Sequence, residues 1–294
     1  MMRVAVLCSD QPHHHYLVAA LRGRFEVPAV VVEPGSARLD RLARRKAWRE
    51  YGWAVYHGAR RRYLGLDAYR AAQFPPSPGE NRPAHVVPWI NDPSVPEVIE
   101  ACRPDVTVVM GTSILLWPVL QRLGPVVLNI HGGYLPWYRG NHCFFFALYA
   151  GDFDRIGTTI HFVNSGIDTG DVLAHVRPPM HPGDNAETLY CRAEKLAIHF
   201  LVRQLDEYEQ TGILPRTAQP SAGRTFRTRD RKPHHDVWLW ARRLAGSLNV
   251  PTRLCPEIVP ATGRWRGPVG IRSAAEQAGG GARVPSDDEA RGAV

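Results

Sequence analysis

Three side chains with complementary chemistry stand near the middle of the chain. Asn129 and His131 end an apolar stretch with the character of a buried strand, and Asp168 lies in a later turn between Gly166 and Gly170. Alternate residues of a strand point to the same face, so the Asn129 amide and the His131 imidazole are expected to lie side by side. An amide can stabilise a developing oxyanion, an imidazole can move a proton, and a carboxylate can orient or relay one. Together these groups suit acyl transfer to an amine.

These side chains need a sheet whose strand ends bring them together. The predicted strands cover residues 3–9, 26–33, 85–90, 105–110, 126–131, 157–164 and 171–177. The predicted helices cover residues 14–24, 36–62, 95–102, 117–123, 141–149, 184–212 and 236–244, and a short strand or hairpin is expected at 223–229. Continuous apolar strands that alternate with helices are typical of a doubly wound, mostly parallel sheet, in which ligands bind at the carboxyl ends of the strands. The sequence therefore predicts a Rossmann-like α/β fold.

Several common kinds of site have no support in the sequence. There is no GxGxxG motif after the first strand and no GxxxxGK[ST] motif, so a dinucleotide site and a P-loop are not expected. No HExxH motif or carboxylate cluster indicates a catalytic metal. The cysteines have no CxxC spacing, which favours a reducing cytoplasm over a disulfide framework; they are Cys8, Cys102, Cys143, Cys191 and Cys255. No apolar run reaches the roughly 20 residues of a membrane helix.

A series of short motifs, in one order and spacing, closely resembles the formyltransferases that use 10-formyltetrahydrofolate. The motifs are Asn129-Ile-His131, Leu135-Pro136, Tyr138-Arg139-Gly140, Gly157-Thr-Thr-Ile-His161 and Gly166-Ile-Asp168-Thr-Gly-Asp171. The resemblance is specific over about residues 105–173 and extends by pattern over the rest of the N-terminal half. That family includes methionyl-tRNA formyltransferase, glycinamide ribonucleotide formyltransferase and the sugar N-formyltransferases. One departure is Gly133-Tyr134, which stands where the family usually has Ser-Leu.

The resemblance implies a formyltransferase fold, 10-formyltetrahydrofolate as co-substrate, and catalysis by Asn129, His131 and Asp168. It also implies a set of residues that bind the co-substrate, namely Gly111, Ser113, Ile114, Leu115, Asn164, Ser165, Gly166 and Ile167. Arg139 and His161 are the residues expected at the acceptor substrate, with His161 giving a supporting hydrogen bond beneath the site. A homodimer through the C-terminal hairpin is suggested by the resemblance alone.

The chain is expected to divide into three parts. Residues 1–182 form the predicted catalytic domain, and residues 183–245 form an extension of one helix and a hairpin. The long helix of the extension begins with a capping-box pattern, Asp184 with Glu187. Residues 246–294 are rich in Pro, Gly, Ala and Arg, and they are expected to form a mostly disordered tail because few large apolar side chains offset the entropy of ordering.

Two clusters of basic and histidine residues are interpreted as surface features. The chain carries 36 Lys and Arg against 28 Asp and Glu, a formal net charge of +8, and many of its arginines fall in residues 36–62. That run is expected to be a solvated helix face, with a site for nucleotide phosphate or RNA as the alternative. Three consecutive histidines on a helix cannot all face one metal ion, so His13, His14 and His15 are assigned to the surface or the edge of the substrate site. His234 and His235 are interpreted in the same way.

The function expected first is formyl transfer to the primary amine of a small molecule. A nucleotide-linked amino sugar, or an amine precursor in a polysaccharide or natural-product pathway, is favoured by the short C-terminal segment. Transfer to aminoacyl-tRNA is the second reading, supported by the basic run, and hydrolysis of formyltetrahydrofolate is the third. The fourth reading is a basic RNA-binding module on an inactive enzyme fold. The intact set of Asn129, His131 and Asp168 argues against it. The small-molecule reading predicts a cytoplasmic enzyme without a membrane or nucleic-acid partner.

Overall fold

A computed structural model describes residues 1–76 and 84–267, which form an α/β structure. The strands are β1 Val4–Cys8, β2 Val30–Val32, β3 His85–Val86, β4 Val106–Met110, β5 Val127–His131, β6 Tyr138–Gly140, β7 Thr158–Phe162, β8 Val172–Arg177, β9 Ile213–Pro215, β10 Arg224–Phe226, β11 Glu257–Pro260 and β12 Arg264–Arg266. The helices are α1 Pro12–Arg22, α2 Gly35–Arg44, α3 Trp48–Tyr63, α4 Leu66–Gln73, α5 Ser94–Cys102, α6 Trp117–Leu120, α7 Cys143–Ala150, α8 Ala186–Thr211 and α9 Pro233–Leu244. Short 3₁₀ turns occupy Phe153–Arg155 and Thr228–Asp230.

The main sheet has eight strands in the order β11-β8-β7-β5-β4-β1-β2-β3. Strands β3, β2, β1, β4 and β5 run parallel to one another, whereas β7, β8 and β11 continue the sheet in antiparallel fashion. The central strands β1 and β4 are buried along their whole length, which matches their continuous apolar sequence. The predicted mostly parallel α/β fold is therefore confirmed.

Helices cover both faces of this sheet. On one face α1 and α8 bury Leu17, Leu21 and Leu201 against the strands. On the other face α5 and α6 contribute Ile99 and Val119 to a second core. Because both layers close over the strands, the polar ends of the strands are the part of the sheet left open to a ligand.

The basic segment after β2 differs from its prediction. Instead of one helix over residues 36–62, two helices form, and the chain between them turns at Lys46, whose φ is +52°. The face is also not merely solvated, because several arginines have partners within the protein. Arg41 donates to Glu33 at 2.8 Å, and Arg60 lies 3.2 Å from Asp236. Periodicity alone predicted the helices but could not show what they pack against.

The C-terminal region is more ordered than its composition suggests. Strand β11 pairs with β8 at the edge of the main sheet, and β12 pairs with β9. Trp265 packs at 5.4 Å, ring centre to ring centre, against Phe162. The prediction of a disordered tail from residue 246 is thus wrong up to residue 267, since one aromatic side chain and backbone pairing offset the polar composition. The part of that prediction covering residues 268–294 lies outside the described residues.

Three local predictions also need correction. The capping box of α8 is formed by Asn185 and Thr188, because Asn185 is the last extended residue before the helix; Asp184 instead binds Arg192. At residues 223–229 the short strand forms as β10, whereas the hairpin alternative is wrong because β10 pairs in parallel with β6. The strand predicted at residues 85–90 contains only His85 and Val86.

Over residues 1–76 and 84–267, the structure contains no helix of the length and apolar character that a bilayer crossing needs.

Candidate active site

A cavity of about 580 Å³ opens at the carboxyl ends of β4 and β5. Its wall includes the whole predicted catalytic set, Asn129, His131 and Asp168. Among the residues predicted to bind the co-substrate, those on the wall are Gly111, Ser113, Ile114, Leu115, Asn164, Gly166 and Ile167. His161 also lines the cavity, whereas Ser165 and Arg139 do not. Arg139 lies in β6 between Tyr138, which is buried in an apolar cluster, and Gly140, which lines the cavity. Because side chains alternate along a strand, the Arg139 side chain points to the face opposite that of its two neighbours.

The Asn129 amide is held by His161 on the neighbouring strand. The two residues are directly opposite each other in the antiparallel pairing of β5 with β7. His161 Nδ1 lies 2.8 Å from the carbonyl oxygen of Phe162, which can only accept, so Nδ1 carries the proton. His161 Nε2 is then free to accept from Asn129 Nδ2 at 3.0 Å. The second N–H of the amide takes no part in this contact.

His131 and Asp168 form a second pair with a defined proton arrangement. His131 Nε2 lies 3.0 Å from the carbonyl oxygen of Tyr138 and donates to it. Its Nδ1 lies 3.5 Å from Asp168 Oδ2. The backbone N–H of Gly140 donates to the same Asp168 oxygen at 2.8 Å. In the neutral imidazole the Nδ1 lone pair therefore faces a carboxylate, and one further proton can be accepted between them.

Burial and charge set the protonation of this pair. Burial lowers the pKa of His131 below its ordinary value and outweighs the opposing effect of Asp168. Burial would raise the pKa of the Asp168 carboxyl, but the interaction with His131 and the Gly140 N–H oppose burial, and the pKa lies below its usual range. At neutral pH the structure therefore presents a neutral imidazole beside a carboxylate.

The backbone around the pair is tightly constrained. A Cβ on Gly133 would lie 2.6 Å from His131 Nε2 and 2.5 Å from the Tyr138 carbonyl oxygen, so only glycine fits there. Thr159 Oγ1 donates to the Gly133 carbonyl at 2.7 Å. Asp168 has a φ of +52°, and Gln219 Nε2 donates to its carbonyl oxygen at 3.1 Å. These contacts involve the backbone, and they hold the predicted catalytic side chains in place.

The loop after β4 is anchored by a buried carboxylate that sequence reasoning missed. Glu33 accepts from the Ser113 backbone N–H at 3.0 Å and from its hydroxyl at 2.9 Å. Arg41 donates to Glu33 Oε1 at 2.8 Å and to Ser113 Oγ at 2.9 Å. The signal in the sequence was weak, because an acidic residue at a strand end has many other uses. The basic segment thus contributes directly to the shape of the cavity.

The chemistry of the wall fits a folate co-substrate. Val109, Leu115 and Val163 supply apolar surface beside the polar loops at residues 111–114 and 164–168. A pterin has two flat apolar faces and a rim of hydrogen-bonding groups, and this combination of surfaces suits such a ring. Among the residues that the structure describes, no group of three or more His, Cys, Asp or Glu is arranged to hold a metal ion.

The cavity wall also contains residues outside the predicted catalytic and co-substrate-binding sets. They are His14, Arg38, Asn141, His142, Tyr190 and Arg227, among others. His13 and His14 were assigned to the surface or to the edge of the substrate site. The surface alternative is wrong for both, since both are buried, whereas His14 does lie on the cavity wall; His13 Nε2 is 3.0 Å from the Tyr190 hydroxyl. Their position could have been anticipated, because the first turn of α1 follows β1 at the same edge of the sheet as the catalytic residues.

Comparison with known proteins identifies the domain that carries this site. Residues 76–205 match the model of the formyl transferase family. The methionyl-tRNA formyltransferase of Burkholderia pseudomallei strain K96243 is 31% identical over 235 residues, which is 79% of this chain and 65% of that protein. The chain thus spans just under two thirds of that relative's length.

Two solved structures share the fold at low sequence identity. The 4-N formyltransferase of Francisella tularensis has a TM-score of 0.53 and 12% identity, covering 86% of this chain and 97% of that one. A sugar N-formyltransferase of a Shewanella species has a TM-score of 0.52 and 14% identity, covering 87% and 97%. At such identities the likeness concerns the fold alone.

Proposed function

We propose that the chain moves the formyl group of 10-formyltetrahydrofolate to the primary amine of a small acceptor, because residues 76–205 match the formyl transferase model and a methionyl-tRNA formyltransferase is 31% identical over 235 residues. The observation that carries this proposal is the convergence of Asn129, His131 and Asp168 on one cavity beside the loops predicted to bind the co-substrate. Our first choice of acceptor is a nucleotide-linked amino sugar.

In this proposal Asn129 stabilises negative charge. The bound co-substrate would supply a formyl carbon as electrophile and its own nitrogen as leaving group. One amide N–H of Asn129 is engaged by His161, so the other can donate to the formyl oxygen as it gains charge. Since His161 fixes the orientation of the amide, the donor is in place before reaction.

His131 and Asp168 manage the proton. The attacking amine must lose one proton as its nitrogen bonds to carbon, and the departing nitrogen must gain one as its bond to carbon breaks. Asp168 accepts the first proton, directly or through a water, and Nδ1 of His131 faces the same carboxylate oxygen. The proton then passes to the leaving nitrogen, so the reaction has no net change in oxidation state or proton count.

A small acceptor is favoured by the way the cavity is enclosed. Helix α3 packs against the turn at Thr228–Asp230, where His57 Nε2 lies 3.0 Å from the Thr228 carbonyl oxygen. Arg227 lines the cavity next to this contact. The fold shared with a sugar N-formyltransferase is consistent with this choice.

Methionyl-tRNA is the second candidate acceptor. It is favoured by the 31% identity to a methionyl-tRNA formyltransferase, and by exposed arginines of the basic segment such as Arg44, Arg45 and Arg49. Binding through phosphates would weaken steeply as salt is raised, which separates this candidate from a small acceptor.

The test is a panel of acceptors incubated with 10-formyltetrahydrofolate and followed by the mass gain of one formyl group. The panel contains nucleoside-diphosphate amino sugars, methionyl-tRNA and a sample without acceptor. We expect formylation of an amino sugar, whereas co-substrate turnover without acceptor would indicate a hydrolase.

Replacing His131 or Asp168 with Ala should abolish transfer and leave the fold intact, with His199→Ala on the exposed side of α8 as control. Near-full turnover in either catalytic variant would contradict the assignment.

A further inference from the structure

Residues 216–226, which follow β9 and include β10, contact the turn that carries Asp168. They lie outside residues 76–205, the part of the chain that matches the formyl transferase model. Thr217 and Val172 exchange backbone hydrogen bonds of 2.8 and 2.9 Å just after that turn. The acid that is proposed to move the proton is therefore held in part by a distant segment of the chain.

The same segment contacts the loop that binds the Asp168 carboxylate. Strand β10 pairs in parallel with β6, and Gly140 is opposite Phe226. The approach is close, because a Cβ built on Gly140 would lie 2.2 Å from the Phe226 carbonyl oxygen. The Gly140 N–H donates to Asp168 Oδ2 at 2.8 Å, and this oxygen lies 3.5 Å from His131 Nδ1. Residues 216–226 thus contact both the turn that carries the carboxylate and the loop that binds it.

Gln219 is the side chain that joins this segment to the turn. Its Nε2 donates to the carbonyl oxygen of Asp168 at 3.1 Å and to that of Gly170. Both partners are carbonyl oxygens, which only accept, so the amide nitrogen and not the amide oxygen must face the turn. Gln219 Oε1 is buried and has no hydrogen-bond partner among the described residues. The orientation of the amide is therefore set by the turn.

The Asp168 backbone needs support because of its conformation. Its φ of +52° lies in the left-handed region, which is uncommon for a residue with a side chain. A backbone in such a region persists only where the surrounding structure holds it. Over residues 1–76 and 84–267, Gln219 is the only donor to the Asp168 carbonyl oxygen. Without it, the turn can relax and carry the carboxylate away from His131.

We propose that Gln219 is a positioning residue, which holds the turn so that the Asp168 carboxylate faces His131. This inference rests on the proposed function, in which these two side chains move the proton. Gln219 does not line the cavity, so it acts through Asp168 and not on the substrate. The active site thus extends beyond residues 76–205 to a side chain of the C-terminal extension.

The kinetic test is Gln219→Met, with Gln204→Met as the matched control. Methionine is about as long as glutamine but has no N–H, so the turn loses both hydrogen bonds. We expect kcat to fall about tenfold to a hundredfold, the effect of a misplaced catalytic group. Gln204 is also buried, and it donates to Glu207 on α8, so its variant should keep the wild-type kcat. Wild-type kcat in Gln219→Met would overturn the inference.

A double-mutant cycle shows whether Gln219 acts through Asp168 or on the fold in general. Its readout is the pKa of His131 in an NMR titration, which does not depend on turnover. Asp168 raises the pKa of His131, so Gln219→Met should lower it in the wild-type background. In the Asp168→Asn background, Gln219→Met should leave this pKa unchanged. An equal shift in both backgrounds, or no shift in either, would contradict the proposal.

Gln219→Glu keeps the test usable if the methionine variant does not fold. Glutamate has the size of glutamine, but its carboxylate would face two carbonyl oxygens and be repelled by them. We expect kcat to fall at least as far as in Gln219→Met, whereas Gln210→Glu, the same change at an exposed position of α8, should resemble wild type. Wild-type kcat in Gln219→Glu would also overturn the inference. A wild-type protein that formylates no amine but shows the coupled shift in the pKa of His131 would refute the proposed function and still support the role of Gln219.

Discussion

At the scale of single residues, His161 makes Asn129 a directed donor. Without the acceptor at His161 Nε2, the Asn129 amide could rotate and lose its alignment. We predict that His161→Leu lowers kcat by about tenfold to a hundredfold, with little change in the KM for the co-substrate. This loss of kcat is smaller than the loss expected when an oxyanion donor is removed completely. The control is His199→Leu, because His199 is exposed and bonds only to Tyr16 among the described residues. Wild-type kcat in His161→Leu would show that Asn129 needs no support.

The His131–Asp168 pair predicts a measurable coupling of pKa values. The pKa of His131 should lie below 6.5 because burial disfavours the imidazolium. Asp168 opposes this shift, so replacing it with Asn removes the anion that stabilises the charged ring. The pKa of His131 in Asp168→Asn should therefore fall further, as measured by an NMR titration. An unchanged or higher value would mean that the carboxylate does not interact with Nδ1.

Glu194 is a fully buried carboxyl behind the catalytic loop, with 0% of its surface exposed. It accepts from Thr158 Oγ1 at 3.0 Å, and burial raises its pKa from 4.5 to about 7. Between these values the unfolded chain ionises while the folded protein stays protonated, so stability is lost as pH rises and the loss is complete above pH 7. We predict that Glu194→Gln stabilises the protein at pH 8 by up to about 3 kcal/mol.

The same variant provides its own internal control. Urea unfolding at pH 4 to 5 should show the benefit of Glu194→Gln shrinking, because the wild-type carboxyl is then increasingly protonated in both states. A stability difference that stays constant from pH 5 to pH 8 would mean that the group does not ionise over this range. His131 and Asp168 are unchanged in Glu194→Gln. The turnover of this variant therefore shows whether an uncharged side chain at position 194 is sufficient for activity.

At the scale of elements, the docking of α3 on the C-terminal segment shapes one side of the cavity. Asp236 lies between Arg60 and Arg231, two guanidinium groups that are largely buried. Replacing Asp236 with Asn would leave both charges unpaired. We expect a loss of about 2 to 4 kcal/mol in unfolding free energy, and faster hydrogen exchange at residues 228–244.

The matched control is Asp206→Asn, whose partner Arg24 is on the surface. Exposed ion pairs contribute roughly 0 to 1 kcal/mol, so this variant should unfold almost as wild type does. Equal destabilisation by the two substitutions would show that the contact between α3 and α9 has no special role.

Prediction from sequence succeeded for elements with strong local patterns. The buried strands β1, β4 and β5 were predicted nearly to their ends, because continuous apolar runs between helices leave few alternatives. Strand β12 and the parallel pairing of β10 were not foreseen. Both are three-residue segments whose partners lie far away in the chain, so no local period could indicate them.

At the scale of the whole molecule, residues 246–267 complete the sheet. Ending the chain after Ala245 would expose the edge of β8 and remove Trp265 from Phe162. Unpaired sheet edges favour association, so we predict a destabilised and aggregating protein. Ending it after Gly267 keeps every contact described above, so that chain is the reference for the comparison of urea midpoints. If the shorter chain were as stable as the longer one, β11 would be dispensable.

The amino-acid sequence by itself determined the direction of the predicted catalytic side chains and the fold that carries them. The two-residue period of a strand places Asn129 and His131 on one face, and the ordered motifs around Asp168 lie within residues 76–205, which match the formyl transferase model. Both are local properties of the chain, which is why they can be predicted without coordinates.

Only the tertiary structure decided which other residues share the cavity and how they are protonated. His57 and Thr228 are 171 positions apart, and His14 meets Gly111 only because α1 packs at the end of β4. The pKa values of His14 and His131 depend on burial, which exists only once the layers have closed. Contacts between distant segments arise from the packing of the whole chain, and no local pattern specifies them.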